Sequence, residues 1–353
     1  MKKQLLGWTA AALFLPFLSA EANDEHSAFL SAEKQARSSN YNKFKEAVGV
    51  LDHPLKPYVE KTYWQRHPSI KHQTEIENYL TIYQNTPLEW PVRKAWLKYL
   101  SKSNRKATFI NNYKKTSNNE LTCTYLQYQL DLGAPEKAIL NQVSDLWVVG
   151  KSQPKECDSL FSLWRKKGYL SQDRVWQRVT LAAQGGDRNL LPYLKTLLPK
   201  KEQYLADLYH KVRSDPSASA GLYRYKNKTV KEGEIAHYGV KRLIWRDRDL
   251  ALKAWEKLDK MFDYSDEQKA DVYYTFALSL ASSGHEQARF WLNKVPKERQ
   301  DRKLMQWQLG NMLKTQDWSG IVAFFTGKEN LSLGQQYWLA YSLEQRGDVD
   351  RAK

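Results

Sequence analysis

Strand-like alternation of apolar and polar residues is nearly missing from this 353-residue chain, and without it no sheet is expected. Glycine (16) and proline (12) are sparse and fall singly between apolar-periodic stretches, so they mark joints rather than linker runs. Beyond residue 22 no long apolar run occurs, which leaves no expected membrane span and implies a soluble mature protein. The apolar stretch before it, Leu5 to Leu18 with Pro16 inside, falls short of the about 20 residues that a span needs. Lys2 and Lys3 precede it and Ala20-Glu21-Ala22 follows, so residues 1–22 read as an export leader, with the mature chain starting near Asn23. An amphipathic or core helix is the alternative. No lipobox cysteine stands near the cleavage point, which argues against a lipid anchor.

Cysteine is nearly absent too, with Cys123 and Cys157 as the two present. No histidine lies between them or close by, so a metal site lacks its further ligands and a reactive thiol lacks its base. In the oxidising setting that a leader implies, a lone pair is bridged more readily than left free. Such a bridge would contribute on the order of 3–4 kcal/mol by chain entropy.

What is present is aromatic and basic. The 42% of apolar residues can bury a sizeable core, and 13 Trp and 21 Tyr make that core ring-rich. The net charge of +16 favours acidic partners: nucleic acid, anionic lipid or an anionic wall polymer. Export removes most of the case for nucleic acid. Lysines that merely solubilise helix faces account for the same excess.

Helical periodicity runs along the whole chain. Ile76, Tyr79, Leu80 and Tyr83 recur at i, i+3, i+4, i+7, the face of a packed helix over 73–84. Helices are also expected at 27–48, 58–65, 92–100, 104–112, 119–132, 135–147, 155–167, 172–184 and 187–198. Others follow at 201–213, 233–245, 248–261, 266–282, 285–294, 299–314, 317–325 and 332–346. The joints repeat as well. Leu130-Asp131-Leu132-Gly133, Leu280-Ala281-Ser282-Ser283-Gly284 and Leu343-Glu344-Gln345-Arg346-Gly347 each end a helix on glycine. A small alanine then opens close packing in the next helix: Ala138, Ala288, Ala352. The expected fold class is therefore all-α: a superhelical helix-turn-helix, tetratricopeptide-like solenoid without the strict 34-residue period. The expected organisation is a leader at 1–22 followed by one α-superhelical region over 23–353. The last joint stops about one turn into its second helix, too short to hold alone, which reads as a truncation.

Catalytic patterns fail one after another. Gly150-Lys151-Ser152 resembles the tail of a phosphate loop, but Asp145 stands where a glycine is required. His285-Glu286 opens like a zinc-protease helix, but Arg289 stands at the second histidine. His67 and His72, five apart around Pro68, share no helix face. No G-x-S-x-G elbow occurs. Cleaving a glycan needs a carboxylic acid held protonated in an apolar cleft. Glu46, Glu60, Glu75, Glu77, Glu202 and Glu267 sit beside Lys, Gln or Asn and read as solvated surface acids. No catalytic, cofactor-binding or metal residue is therefore expected. Aromatic residues interleave with basic ones at Trp90 to Trp96 with Arg93 and Lys94, at Trp164-Arg165-Lys166-Lys167, and around Trp245 between Arg242 and Arg248. Rings stack on sugars and cations pair with carboxylates, so these could form a glycan surface. Packing between helices is the simpler account.

One block is specific. Cys123 is followed by Leu146-Trp147, Gly150-Lys151-Ser152-Gln153-Pro154, Cys157-Asp158, Leu160-Phe161-Ser162 and Trp164-Arg165. This resembles the N-terminal half of the soluble lytic murein transglycosylases, as Pro54-Leu55-Lys56-Pro57-Tyr58-Val59-Glu60 does, and more weakly the helical remainder. The resemblance implies a periplasmic enzyme whose α-superhelix forms part of a ring and carries a separate lysozyme-like domain. That domain cleaves the MurNAc–GlcNAc bond and leaves a 1,6-anhydro end. It also implies a structural disulfide between Cys123 and Cys157, and peptidoglycan glycan strands as partner, with no nucleic acid. The family's Glu-Ser pair, Gly-Leu-Met-Gln and Ala-Tyr-Asn segments are not in this sequence, so no catalytic residue carries over. The expectation is a helical-ring portion inactive alone. A stand-alone periplasmic scaffold or peptidoglycan-binding repeat protein is the alternative, and activity through an unrecognised site is a third.

Overall fold

The computed structural model describes residues 15–348 and 350, with side chains from Glu25 onward. The leader expected at 1–22 lies outside the described residues through position 14. Of its remainder only backbone is described, as the start of helix Leu15–Arg37. Positions 349 and 351–353, where the last joint's second helix was expected, also lie outside.

Among the described residues there are nineteen α-helices, seven short 3-10 helices and no strand. Local sequence explains most of the boundaries. Ser171 opens helix Gln172–Gln184 by accepting from the Arg174 N–H, and Val175, Trp176, Val179, Ala182 and Ala183 form its buried face. Capping boxes open three helices: Thr229 with Glu232, Ser265 with Gln268, and Ser332 with Gln335. Each of the three repeated joints closes on a glycine with positive φ: Gly133 at 89°, Gly284 at 67° and Gly347 at 83°. A side chain there would be strained, which is why these joints end on glycine.

Two stretches depart from the periodic reading. The helix expected at 27–48 is broken after Arg37, because Asn40 accepts from the Lys43 N–H at 3.1 Å and starts helix Tyr41–Gly49 afresh. Residues 214–229, without helical periodicity, form two 3-10 turns, Pro216–Ala220 and Leu222–Arg224. Tyr225, 2% exposed, locks them by donating to the Ser219 carbonyl at 3.2 Å. A Cβ on Gly239 would meet Val212 at 2.4 Å and Ser219 at 2.7 Å, so helix Val230–Arg246 lies directly on this turn.

The chain forms two compact units. One holds the chain up to Trp147 with Gln153–Leu170, and the other holds Val148–Ser152 with Ser171 onward. In the first, Phe44 stacks on Tyr63 at 3.8 Å, and Val92, Trp96, Leu97, Leu100 and Phe109 continue the core. In the second, Tyr209, Val212, Ile235, Val240, Leu243 and Phe276 are fully enclosed. Aromatic rings bury large areas each, which is how short helices with sparse apolar positions still close a core.

Candidate functional site

Helix packing claims several of the aromatic and basic residues that the sequence offered for glycan contact. Trp96 and Trp164 are both 0% exposed, and Trp164 donates its Nε1–H to Ser144 at 3.0 Å. Arg93, 7% exposed, is buried as well. Its Nε donates to Glu89 Oε1 at 2.8 Å and its Nη1 to the Asn112 carbonyl at 2.6 Å. Lys114 reaches the same Glu89 oxygen at 2.6 Å, and the Asn85 N–H donates to the other at 2.6 Å. Burial pushes the Glu89 carboxyl upward, but these donors outweigh it and hold the group below the usual carboxylate range.

What remains on the surface is narrower. Helix Glu89–Lys102 buries Val92, Trp96, Leu97 and Leu100 on one face. Its other face presents Trp90, 37% exposed, with Lys94 and Lys98 one and two turns on. Together with Gln65, Pro91 and Ala95 they line a groove of about 440 Å³. Lys98 is paired with Glu120 at 2.9 Å, and Lys94 is exposed. In the second unit Trp245, 52% exposed, stands beside exposed Arg242 and Arg246, and Arg242 lies 5.5 Å over the Tyr238 ring. These two places keep an open ring beside cations, the arrangement that stacks on a sugar and pairs with its carboxylate.

Glu60 departs from its reading as a solvated surface acid. It is half-buried in a groove of about 350 Å³ lined by Tyr41, Trp64, Tyr79 and Tyr83, which also holds Glu75. Burial raises its pKa, and Lys56 offsets this in part. The flanking Tyr58, Val59, Tyr63 and Trp64 were the signal that could have revealed it. Among the others, Glu46 is exposed, and Glu75 accepts from Tyr41 at 3.2 Å. Glu77 accepts from Asn112 at 2.8 Å, Glu202 pairs with Lys231 at 2.6 Å, and Glu267 with Arg299 at 3.4 Å.

The specific sequence block has a structural explanation. Cys123 and Cys157, both 0% exposed, are joined by a disulfide that ties helix Asn119–Asp131 to the turn Lys155–Cys157. A Cβ on Gly150 would stand 2.5 Å from the Leu181 carbonyl, and one on Gly186 would stand 2.0 Å from the Gly150 carbonyl. Asp187 donates its N–H to that carbonyl at 2.7 Å. Residues 150–152 are thus a close backbone crossing rather than a phosphate cradle. His67 lies 3.4 Å from the Arg37 carbonyl, His72 packs on Tyr41 at 3.9 Å, and His285 accepts from the Gln287 N–H at 3.1 Å. Among the described residues no three His, Cys, Asp or Glu gather as a metal site, and no helix is long and apolar enough to cross a membrane.

The same architecture occurs in known proteins. The soluble lytic murein transglycosylase of Escherichia coli (strain K12) is 24% identical over 347 residues, covering 95% of this chain and 53% of that protein. The chain is a relative of the soluble lytic murein transglycosylases. That of Salmonella typhimurium is 28% identical over 173 residues, 48% of this chain and 26% of its own length. An inactive mutant of the lytic transglycosylase Slt from Pseudomonas aeruginosa superposes with a TM-score of 0.74 at 25% identity, over 91% of this chain and 53% of that one. The 70-kDa soluble lytic transglycosylase in complex with bulgecin A gives 0.72 at 19% identity, over 94% and 54%, a likeness of fold. No protein-family profile matches. The chain spans about half the length of the E. coli relative it matches.

Proposed function

We infer that this chain is the helical portion of a periplasmic soluble lytic murein transglycosylase and that it contacts peptidoglycan glycan strands without cleaving them itself. The observation that carries the reading is likeness along nearly the whole chain, 95% in sequence and 91% in structure. In the complete enzyme the reaction would be MurNAc–GlcNAc cleavage with a 1,6-anhydro product. No residue here is assigned to that step, because the Glu-Ser, Gly-Leu-Met-Gln and Ala-Tyr-Asn segments are not in the sequence. The contribution of these helices would be to hold the strand. The net charge of +16 draws anionic polymer, and open rings such as Trp90 and Trp245 stack on sugars. The leader over 1–22 would deliver the chain to the periplasm, with Cys123–Cys157 formed on arrival.

The test is co-sedimentation of the purified chain with murein sacculi at low and high salt, with the supernatant assayed for anhydro-muropeptides. Salt-sensitive pelleting without product is expected. Failure to pellet at low salt would overturn the glycan-contact reading, and product release would overturn the inactivity. A stand-alone scaffold is the second reading, favoured by the same exposed aromatic and basic surface. Reading the encoding DNA past codon 353 in all frames separates the two: the three missing segments downstream support the enzyme, and their absence supports the scaffold.

A further inference from the structure

The groove of about 350 Å³ in the first unit is lined by charges that the fold does not use. Helix Lys56–Arg66 carries two of them, Lys56 and Glu60, one turn apart and therefore side by side on one face. Both are half-buried, yet neither forms an ion pair with the other or with any other described residue. Glu60 also accepts no hydrogen bond, and burial without a donor is what raises its pKa. Glu89 shows the contrast, since Arg93 and Lys114 both engage it. The Glu60 oxygens are nevertheless not among the polar atoms sealed from solvent, so a molecule in the groove can reach them.

The rest of the lining is apolar and held in place. Tyr79 donates its hydroxyl to the Pro57 carbonyl at 3.0 Å, and its ring centroid lies 4.6 Å from that of Tyr83. Ile82, beside them in sequence, is 71% exposed. Two exposed residues repeat the charges of the helix: Lys45, and Glu75, which accepts from the Tyr41 hydroxyl at 3.2 Å. The groove therefore offers cations and carboxylates together, against rings.

We propose that this groove binds a zwitterionic α-amino-acid head, an ammonium and a carboxylate on one carbon, with its apolar side chain against the rings. The ligand ammonium donates to Glu60, and Lys56 donates to the ligand carboxylate. Side chains one helical turn apart stand about 5–6 Å from each other at Cβ, a spacing that a head with both charges on one carbon can bridge. Charge-assisted hydrogen bonds of this kind are the strong ones. A simple amine would answer Glu60 but face Lys56 and Lys45. A simple carboxylate would answer Lys56 but face Glu60 and Glu75. A neutral sugar answers neither charge better than water does. The volume is at the small end of ligand sites, about 300–1,000 Å³, and admits one residue. The same head occurs on a free amino acid and on a residue tethered to a polymer through its side chain. The site goes beyond glycan contact and does not depend on it.

The test titrates the purified chain near neutral pH with norleucine, pentylamine and hexanoate, followed by calorimetry or NMR. The three share one tail and differ in the head: both charges, the ammonium alone, the carboxylate alone. Norleucine should bind, and each of the others at least about tenfold more weakly. Glu60→Gln should weaken norleucine about tenfold and leave hexanoate no weaker. Lys56→Met should weaken norleucine about tenfold and leave pentylamine no weaker. Opposite effects on the two half-ligands cannot come from unfolding. Glu60→Gln should also melt no lower than the unsubstituted chain, because it removes a half-buried carboxylate that has no donor. Nε-acetyl-lysine, whose head is tethered through an acylated side chain, separates the two sources. Binding like that of norleucine extends the site to a tethered head, and its exclusion confines the site to free amino acids; either supports the proposal. Pentylamine or hexanoate binding as well as norleucine, or norleucine bound equally by both variants, overturns it. So does the absence of norleucine binding up to about 10 mM, which leaves Glu60 to water alone and glycan contact untouched.

Discussion

Removing the Cys123–Cys157 bridge should unfold the first unit selectively. The two residues are 34 apart in sequence, and both are fully enclosed between helix Asn119–Asp131 and the turn before helix Asp158–Lys166. Opening a loop of that size returns about 4 kcal/mol of chain entropy to the unfolded state. Reduction alone keeps both sulfur atoms in place and reads this figure directly. The double substitution Cys123→Ala with Cys157→Ala also leaves two small voids, at about 1 kcal/mol each, so it should cost about 6 kcal/mol. With a urea dependence of about 2 kcal/mol per molar, reduction lowers the midpoint by about 2 M and the double variant by about 3 M. The assay is urea unfolding followed by pulsed hydrogen exchange, read on peptides from 119–131 and 158–166 and, as the internal reference, from 266–283. Full reduction must be verified by thiol alkylation. A first-unit midpoint that moves by less than about 0.5 M would refute the entropic argument. An equal shift in the 266–283 peptide would refute the confinement of the effect to the first unit.

Three further outcomes follow from the same geometry. Glu89→Gln leaves Arg93 buried without its counter-charge and should destabilise the first unit by about 3–5 kcal/mol in urea unfolding. The Glu89 carboxyl is held below its ordinary value of 4.5, so its contribution is present above that pH and is lost as pH falls below it. The acid limb of the stability curve should therefore flatten in the variant, and an unchanged limb would show that other groups carry it. Gly150→Ala drives a Cβ into the Leu181 carbonyl and should cost about 1–3 kcal/mol, with lost exchange protection over 172–184; unaltered protection there would contradict the close crossing. Trp90→Ala and Lys94→Glu should each weaken sacculus pelleting several-fold with an unchanged melting temperature. By contrast Trp164→Ala, at a fully enclosed ring, should cost about 3–5 kcal/mol. Pelleting insensitive to Trp90 and Lys94 would remove that groove from the glycan surface.

Periodicity and joint chemistry were readable because they are local. Ile76, Tyr79 and Leu80 form one buried stripe wherever their helix packs, and Gly133, Gly284 and Gly347 take positive φ because the joint itself demands it. The break at Ser38 to Asn40 was local as well, yet apolar spacing on both sides concealed the cap that causes it. The turns over 216–224 had no such signal, since they are held by Tyr225 and by the Gly239 contact, partners from other segments.

The amino-acid order alone determined the all-α class, the helix-to-helix joints, the basic and aromatic character, and the resemblance that relates this chain to murein transglycosylases, because each rests on residues within a few turns of one another. Only tertiary structure decided which aromatic and basic residues are open and which are core. Trp90 and Trp96 sit six apart on one helix, and the neighbours packed against it leave one at 37% exposure and the other at 0%. Glu60 in its ring-lined groove was decided in the same way. Burial and hydrogen-bond satisfaction depend on what other segments bring to a side chain, and short-range sequence pattern does not encode that.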